Sequence, residues 1–589
     1  MEKRVLLAVF LSFLVLYVYQ ALLVPPKRPA TQQPTEAGEQ AATPPEPARK
    51  PAAADAGKAS VTAAPAEPWP EALVPAGDER DIVYESGAVR AVFTNRGGTL
   101  TSWRLKKYLN KRGEPLELVP VELKGEHEHP FSLDVGDEAL TKRLNAALFK
   151  PSADAITIPE DADNVSLVFE YRDASGLSAR KEYVLKPKSE PYVVRFSATV
   201  ENGGRALNPT VLWGPAIGSG ENLESSRYYT PPRAVYFAGG KVTRVNPDKI
   251  AGQPVPESGL PFAGVEDHYF LAAEVGGGAG VKVSYAPLQI DRPKELGGPW
   301  YLVSYAVTYP AAPAGAMFFL GPKDFDILQA VNRDLVRAVD FGFFAWLVVP
   351  LLRALKWVNG FAGNYGWSII ILTMLINLVM FPLRHKSVVS MRKMQEIQPE
   401  VKAIQERYAK LKATDPAKQK MNQEMMQLYR DRGVNPASGC IPMLLTMPVL
   451  FAFYSLLSVA IELRGAPFMF WIRDLSAHDP LYVTPILMGI TMVVQQRMTP
   501  TAGDPMQQKM MMIMPVVFTG MFLWAPSGLA IYFFVSNVWG IGQQVLTNRL
   551  IGPPKVRTVR PPAERRLKRA GAGKTAQAEQ EDGAKGQGR

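Results

Sequence analysis

Five long apolar stretches, each marked off by charges, fill the chain between residues 363 and 550, and that pattern calls for helices that cross a bilayer. The clearest begins GNYGWSIIILTMLINLVMFPLRHK. Its apolar run, 367–383, approaches the roughly 20 residues that a hydrocarbon core requires. Within it Thr373 and Asn377 lie four apart, on one helical face, and place polar groups in a medium that penalises them. Groups so placed face other helices or trapped water. Further spans are expected over about 441–461, 481–496, 510–524 and 528–546.

Upstream the composition changes several times, as a multidomain chain should. Lys3 and Arg4 precede an apolar run over 5–24, which reads as a retained transmembrane anchor (1–24) with a cytoplasmic N-terminus. A cleaved signal peptide competes with that reading, but small residues of the A-x-A kind are missing near 17–23. Residues 25–80 are rich in Pro and Ala and read as a disordered linker. Then DIVYESGAVRAVFTN, NVSLVFEYRD, RKEYVLKP and YVVRFSATVENGG alternate in hydrophobicity between turn residues, which predicts an antiparallel β-sandwich over 81–320.

Over 325–362 the spacing turns helical. Phe344, Leu347, Val348, Leu351, Leu352 and Leu355 fall on one side, Arg353 and Lys356 interrupt the run, and Trp346 and Trp357 flank it. An amphipathic helix lying in the membrane interface is expected. Inside the helical core (363–550), the charged stretch 385–435 repeats Val401, Ile404, Tyr408 and Leu411, then Met421, Met425, Leu428 and Tyr429, at heptad-like spacing. Two paired cytoplasmic helices are predicted. Residues 551–589 form a basic cytoplasmic tail.

The net charge of +11 is concentrated over 384–432 and 549–569, beside membrane spans. This points to cytoplasmic loops and anionic lipid before nucleic acid, and no DNA partner is expected. The same bias puts both termini in the cytoplasm and the β domain outside. With Cys440 as its one cysteine, the chain has no internal disulfide, so the β domain must stand on its core. His127 and His129 have no further clustered ligand, and no phosphate loop or nucleophile elbow occurs. No catalytic residue, metal or cofactor is expected.

Polar residues recur at near-whole-turn offsets on four helices. Besides Thr373 and Asn377 there are Ser455, Ser458 and Glu462; Thr484, Thr491 and Gln495; and Tyr532, Ser536, Gln543 and Thr547. If the stripes converge they enclose a wet recess within the membrane. Each alone has a plainer reading, since Ser and Thr bond their own backbone and small side chains help helices pack. Met510, Met514 and Met521, in a Met-rich span, suit contact with varied apolar partners, though lipid-facing filler fits equally.

GNYGWSIIILT, FPL (381–383), QEMMQLYRDRGVNPASGCIPMLL, TMPVLFAFYSLL, ELRGAPFMFWIRDLSAHDPLYVTPILMG, TPTAGDPMQQKMMMIMP and FLWAPSGLAIYFFVSN together resemble the YidC/Oxa/Alb membrane protein insertase family, in its Gram-negative layout with a large periplasmic domain. The resemblance implies an activity without bond chemistry: hydrophobic segments of nascent proteins are received and released into the inner membrane, alone or beside the Sec translocon. It also implies a supersandwich-type β domain, a hairpin needed for activity and a tail that approaches ribosomes. Family members usually carry an arginine where this chain has Asn377. For Arg384, seven residues on and on the same face, the plainer reading is a positive-inside anchor, and the competing one is that it replaces that charge in part from the cytoplasmic mouth. Two readings compete with an insertase: a small-molecule transporter, for which no repeated halves are visible, and an anchored enzyme or glycan-binding sandwich, for which Trp69, Trp103, Trp213 and Trp300 are the candidate residues.

Overall fold

The computed structural model describes residues 71–74, 77–110, 112–120, 127–153, 156–157, 164–214, 217, 230–252, 255–256, 259–290, 300–408, 417–434, 441–498 and 505–551. The anchor expected over 1–24, most of the linker expected over 25–80, Trp69, Leu411 and the basic tail after Ile551 lie outside the described residues. The chain divides after Pro68 into two units, and the fold below belongs to the second, Trp69–Arg589.

Alternation builds the first half of that unit. Leu177–Lys186 buries every second side chain from Leu177 to Leu185, and its neighbour Val165–Arg172 buries Leu167, Phe169 and Tyr171. These strands belong to a ten-stranded sheet centred on Glu190–Asn202, which pairs with Leu177–Lys186 on one side and Ala316–Pro322 on the other. A five-stranded sheet and a four-stranded sheet pack on it. Every strand pairing among the described residues is antiparallel except a two-residue contact between Asp81–Glu85 and Ile156–Thr157.

Aromatic rings and a few buried polar bonds join the sheets. Phe131 touches Tyr183, Phe196, Trp213 and Phe318 at 5.0–5.7 Å between ring centroids. Trp103 and Trp213, candidates for a sugar site, are both buried in this core. Trp103 donates its indole N–H to the Leu320 carbonyl at 2.9 Å, as a buried indole must. Lys181 is fully buried and donates to the carbonyls of Gly97 and Phe131 at 2.7 and 2.8 Å. Burial pulls its ammonium down to about 7. A short helix, α1 (Glu138–Ala146), starts at Asp137, whose side chain accepts from the Leu140 amide.

The helical region expected over 325–362 is not one helix. It forms α2 (Phe325–Val331), a turn at Leu335–Ala338, and α3 (Ala345–Ala362). The break falls where Asp340 pairs with Arg233 and Arg244 of the sheet, each at 3.7 Å, and Gly342 takes a φ of 66°. α3 buries Val348, Leu352 and Leu355 but leaves Trp346, Trp357 and Phe361 exposed. Its basic interruptions have partners: Arg353 lies over the Phe325 ring, and Lys356 pairs with Asp324, Asp326 and Glu462.

Seven helices follow: α4 (Tyr365–Glu396), α5 (Gln398–Arg407), α6 (Ala417–Asp431), α7 (Ile441–Val459), α8 (Val483–Met498), α9 (Pro505–Phe522) and α10 (Ser527–Ile551). Two stretches among the described residues, Tyr365–Met394 and Ser527–Leu550, are long and apolar enough to cross a membrane. α10 lies between α4 and α8, α9 packs on α8, and α7 packs on α3. The outer faces are bare and apolar, with Leu378 and Val379 of α4, Ile490 of α8 and Met512, Val516 and Val517 of α9 all exposed.

α5 and α6 pair antiparallel. Tyr408 donates to Glu424 at 2.8 Å, Arg407 pairs with Glu424 at 3.0 Å, and Arg432 beyond the far end of α6 bonds Glu400 near the start of α5 at 2.7 and 3.0 Å. Ile404 and Met425 are buried on the two helices.

Candidate functional site

The helical period of α4 puts Thr373, Asn377 and Arg384 on one line. Thr373 is fully buried and donates its hydroxyl to the Ile369 carbonyl at 2.6 Å, so it is satisfied within its own helix. Asn377 donates to the Thr373 carbonyl at 2.8 Å and accepts from the Arg384 guanidinium at 2.8 Å. Arg384 therefore runs back along α4, away from the charged end of the helix. Among the described residues no carboxylate pairs with it.

α10 faces this line. Tyr532 is buried, stacks on Phe453 of α7 at 4.5 Å, and lies near Ser536 and within electrostatic reach of Arg384. Lower down, Gln543 donates to the Phe381 carbonyl at 3.3 Å, and Thr547 meets His385 at 3.3 Å. Arg392 bonds Asn548, which also accepts from Gln544 at 3.2 Å. The two long helices are thus joined by a polar seam along their length.

α8 meets α10 from the other side. Thr491 bonds the carbonyls of Leu487 and Met488 and accepts from Asn537 of α10 at 3.3 Å. Gln495 lies across Gly540, where any Cβ would collide with its amide. Thr491 and Gln495 therefore reach α10 but on a different side from Arg384.

Ser455 and Ser458 are not in the seam. The Ser455 hydroxyl donates to the Phe341 carbonyl at 2.8 Å, and the Ser458 carbonyl faces His268 of the sheet domain at 2.8 Å. Glu462, on the same stripe, pairs with Lys356 at 2.7 Å. This corrects the sequence reading: Ser455 bonds the chain just before α3, Ser458 meets the sheet domain through its backbone carbonyl, and Glu462 lies beyond the end of α7, in the turn Ile461–Leu463. Of the methionines, Met514 is exposed, Met521 packs against the core, and the Met510 side chain lies outside the described residues.

Sequence reasoning missed Asn537, Gln544, Asn548, His385 and Arg392. The first three lie at offsets of seven and four, one residue on from the stripe of Ser536, Gln543 and Thr547. A search for a second polar line on α10 would have found them.

The periplasmic domain model of YidC matches residues 81–354, and the 60Kd inner membrane protein model matches residues 357–553. The chain is 38% identical over 568 residues to the membrane protein insertase YidC of Geobacter metallireducens, covering 94% of this chain and 99% of that one. It is 36% identical to the proteins of that name from Pelobacter propionicus and Geobacter sulfurreducens, covering 94% of this chain in each case and 100% and 99% of those proteins.

Proposed function

We propose, from the premise that this chain belongs to the membrane protein insertase YidC family, that the seam between α4 and α10 receives nascent hydrophobic segments and releases them sideways into the inner membrane. The family's members are inner membrane proteins with a periplasmic domain, and they insert membrane proteins rather than catalyse bond chemistry. In our reading an anchor precedes the periplasmic domain, and a core of five spans over 363–550 carries the hairpin α5–α6 and both termini on the cytoplasmic side. The concentration of Lys and Arg beside the spans supports that orientation. Anionic lipid, Sec components and, through the tail over 551–589, the ribosome are its proposed partners.

One observation carries the groove: an arginine folded back onto Asn377, within electrostatic reach of Tyr532 and with no paired carboxylate among the described residues. A guanidinium is always charged and carries five N–H donors, of which one is committed to Asn377. A carboxylate on a client's polar flank gives it the missing partner, in a charge-assisted bond of about 1.5–3 kcal/mol. The client's apolar segment, buried in lipid, supplies the drive for release.

Insertion into proteoliposomes of two single-span clients, differing only in an acidic or neutral flank, tests this. Arg384→Ala should slow the acidic client roughly 10-fold or more, by the bond energy above, with little effect on the neutral one. Arg384→Lys should keep part of the rate. Equal losses for both clients, or no loss, would sink the assignment.

A further inference from the structure

Between α7 and α8 the chain closes a short loop. The Phe468 amide donates to the Ile472 carbonyl at 3.0 Å and the Leu475 amide to the Ala466 carbonyl at 3.0 Å, which leaves Phe470 at the tip. Ile472 and Leu475 are buried beneath it, whereas Phe470 is 83% exposed. Its φ is 56°, a left-handed backbone that bulky residues rarely adopt. The loop therefore holds an aromatic ring outside the protein at a cost in backbone strain, and water gives nothing back for it.

The exposure is not slack, because the loop is tied down on every side. Trp471 donates its indole N–H to the buried Asp479 at 2.8 Å, and Asp479 also accepts from the Leu481 amide at 2.9 Å and from the Thr484 amide and hydroxyl at 2.8 and 2.9 Å, which caps α8. Towards α4, the Pro467 carbonyl accepts from Asn364 at 2.9 Å, and the Phe468 ring lies so close over Gly366 that a Cβ there would collide with it. Towards α10, the Ala477 and Leu475 carbonyls accept from the Ser527 and Gly528 amides at 2.7 and 2.9 Å.

Three features of this rim point to lipid as the cover. The helix ends around the loop expose aromatic rings, Trp367 in the first turn of α4, Trp524 just past α9 and Tyr482 just before α8, residue types that gather where a bilayer meets water. The exposed apolar residues Leu481, Ile486, Leu487 and Ile490 lead from the Asp479 cap along α8 without a break in character. Arg473, three residues past Phe470, is exposed, and among the described residues no carboxylate pairs with it. Its guanidinium matches a phosphate with two parallel bonds. Arg464, before the loop, lies instead over the Tyr269 and Phe270 rings of the sheet domain. We propose that the loop is a membrane-surface anchor: the Phe470 ring enters the acyl boundary of the leaflet beside the sheet domain, and Arg473 bonds the lipid phosphates above it. The inference stands apart from the groove and requires only that the helical core lies in a bilayer.

The photoreactive amino acid p-benzoylphenylalanine, built into the full chain in place of Phe470 in bacterial cells, keeps an aromatic ring at the tip and on irradiation bonds to the C–H groups it touches. Mass analysis of the purified chain should find phospholipid attached, in a yield comparable to that from the same probe in place of the exposed Val379 of α4. Arg473→Gln should lower the lipid yield at the loop roughly twofold or more, while Arg473→Lys keeps most of it. Phe470 and Arg473 are both exposed, so these changes leave the core intact. The proposal is overturned if the probe at the loop joins a second copy of the chain or another protein in place of lipid, if it joins nothing, or if Arg473→Gln leaves the yield unchanged. Absence of lipid on the Val379 probe as well would remove the bilayer from around the helices, and the anchor with it.

Discussion

Glu266 concentrates more charge around itself than other side chains of the sheet domain. Fully buried, it accepts from Arg233 at 2.9 Å and Arg244 at 2.8 Å and pairs with Lys323 at 3.3 Å. Burial alone would raise its carboxyl, but the three cations outweigh burial and bring it down to about 2. Its contribution is therefore present above pH 4.5 and lost as pH falls towards 2, up to roughly 3 kcal/mol over that window. Denaturant unfolding between pH 5 and pH 2 should show this loss, and Glu266→Gln should be less stable at pH 7 but flatter in acid. An equal acid slope in both proteins would remove Glu266 as the cause. None of this cluster was legible in the sequence, because its members come from three separate strands and a strand end. The Asn377–Arg384 contact was legible, because two residues seven apart on a helix share a face by geometry alone.

At the scale of elements, the helices follow their apolar runs closely, while their contacts rest on small residues that composition does not single out. α4 continues past Pro382 well beyond the apolar run, and its extension carries His385 and Arg392 to α10. Gly489 of α8 faces Thr519 of α9 so closely that a Cβ would meet both the hydroxyl and the methyl of the threonine. Thr519 is held there by its own bond to the Pro515 carbonyl at 2.7 Å. Gly489→Ala should cost about 1–3 kcal/mol by overpacking, read as a lower unfolding temperature in detergent. Adding Thr519→Ala should recover most of that loss, and failure to recover would mean that the α8–α9 contact is not what the glycine serves. The stripe on α7 teaches the complementary lesson: a period cannot say which neighbour a face meets, nor that the helix stops at Val459 and leaves Glu462 beyond it.

For the whole molecule, the joint between sheet domain and membrane helices is where separate stretches of chain become one unit. Lys356 of α3 lies 2.7 Å from Glu462, 2.7 Å from Asp326 and 3.5 Å from Asp324, tying the start of α2 to the end of α7. Lys356→Met should cost about 3–5 kcal/mol, because Glu462 is left in a sparsely solvated site without its cation. Glu462→Gln in the same chain should restore part of it, and chemical denaturation of both variants checks the pair. The sequence by itself determined the β-sandwich, the apolar helices, the paired hairpin and the family, because alternation, helical period and long motifs are local properties of a chain. Only the tertiary structure decided where groups distant in sequence meet: Arg384 within reach of Tyr532, the Ser458 carbonyl against His268, and Glu266 in a ring of cations. Partners distant in sequence are chosen by packing and by the cost of leaving a buried polar group unpaired, and neither is written in any single segment.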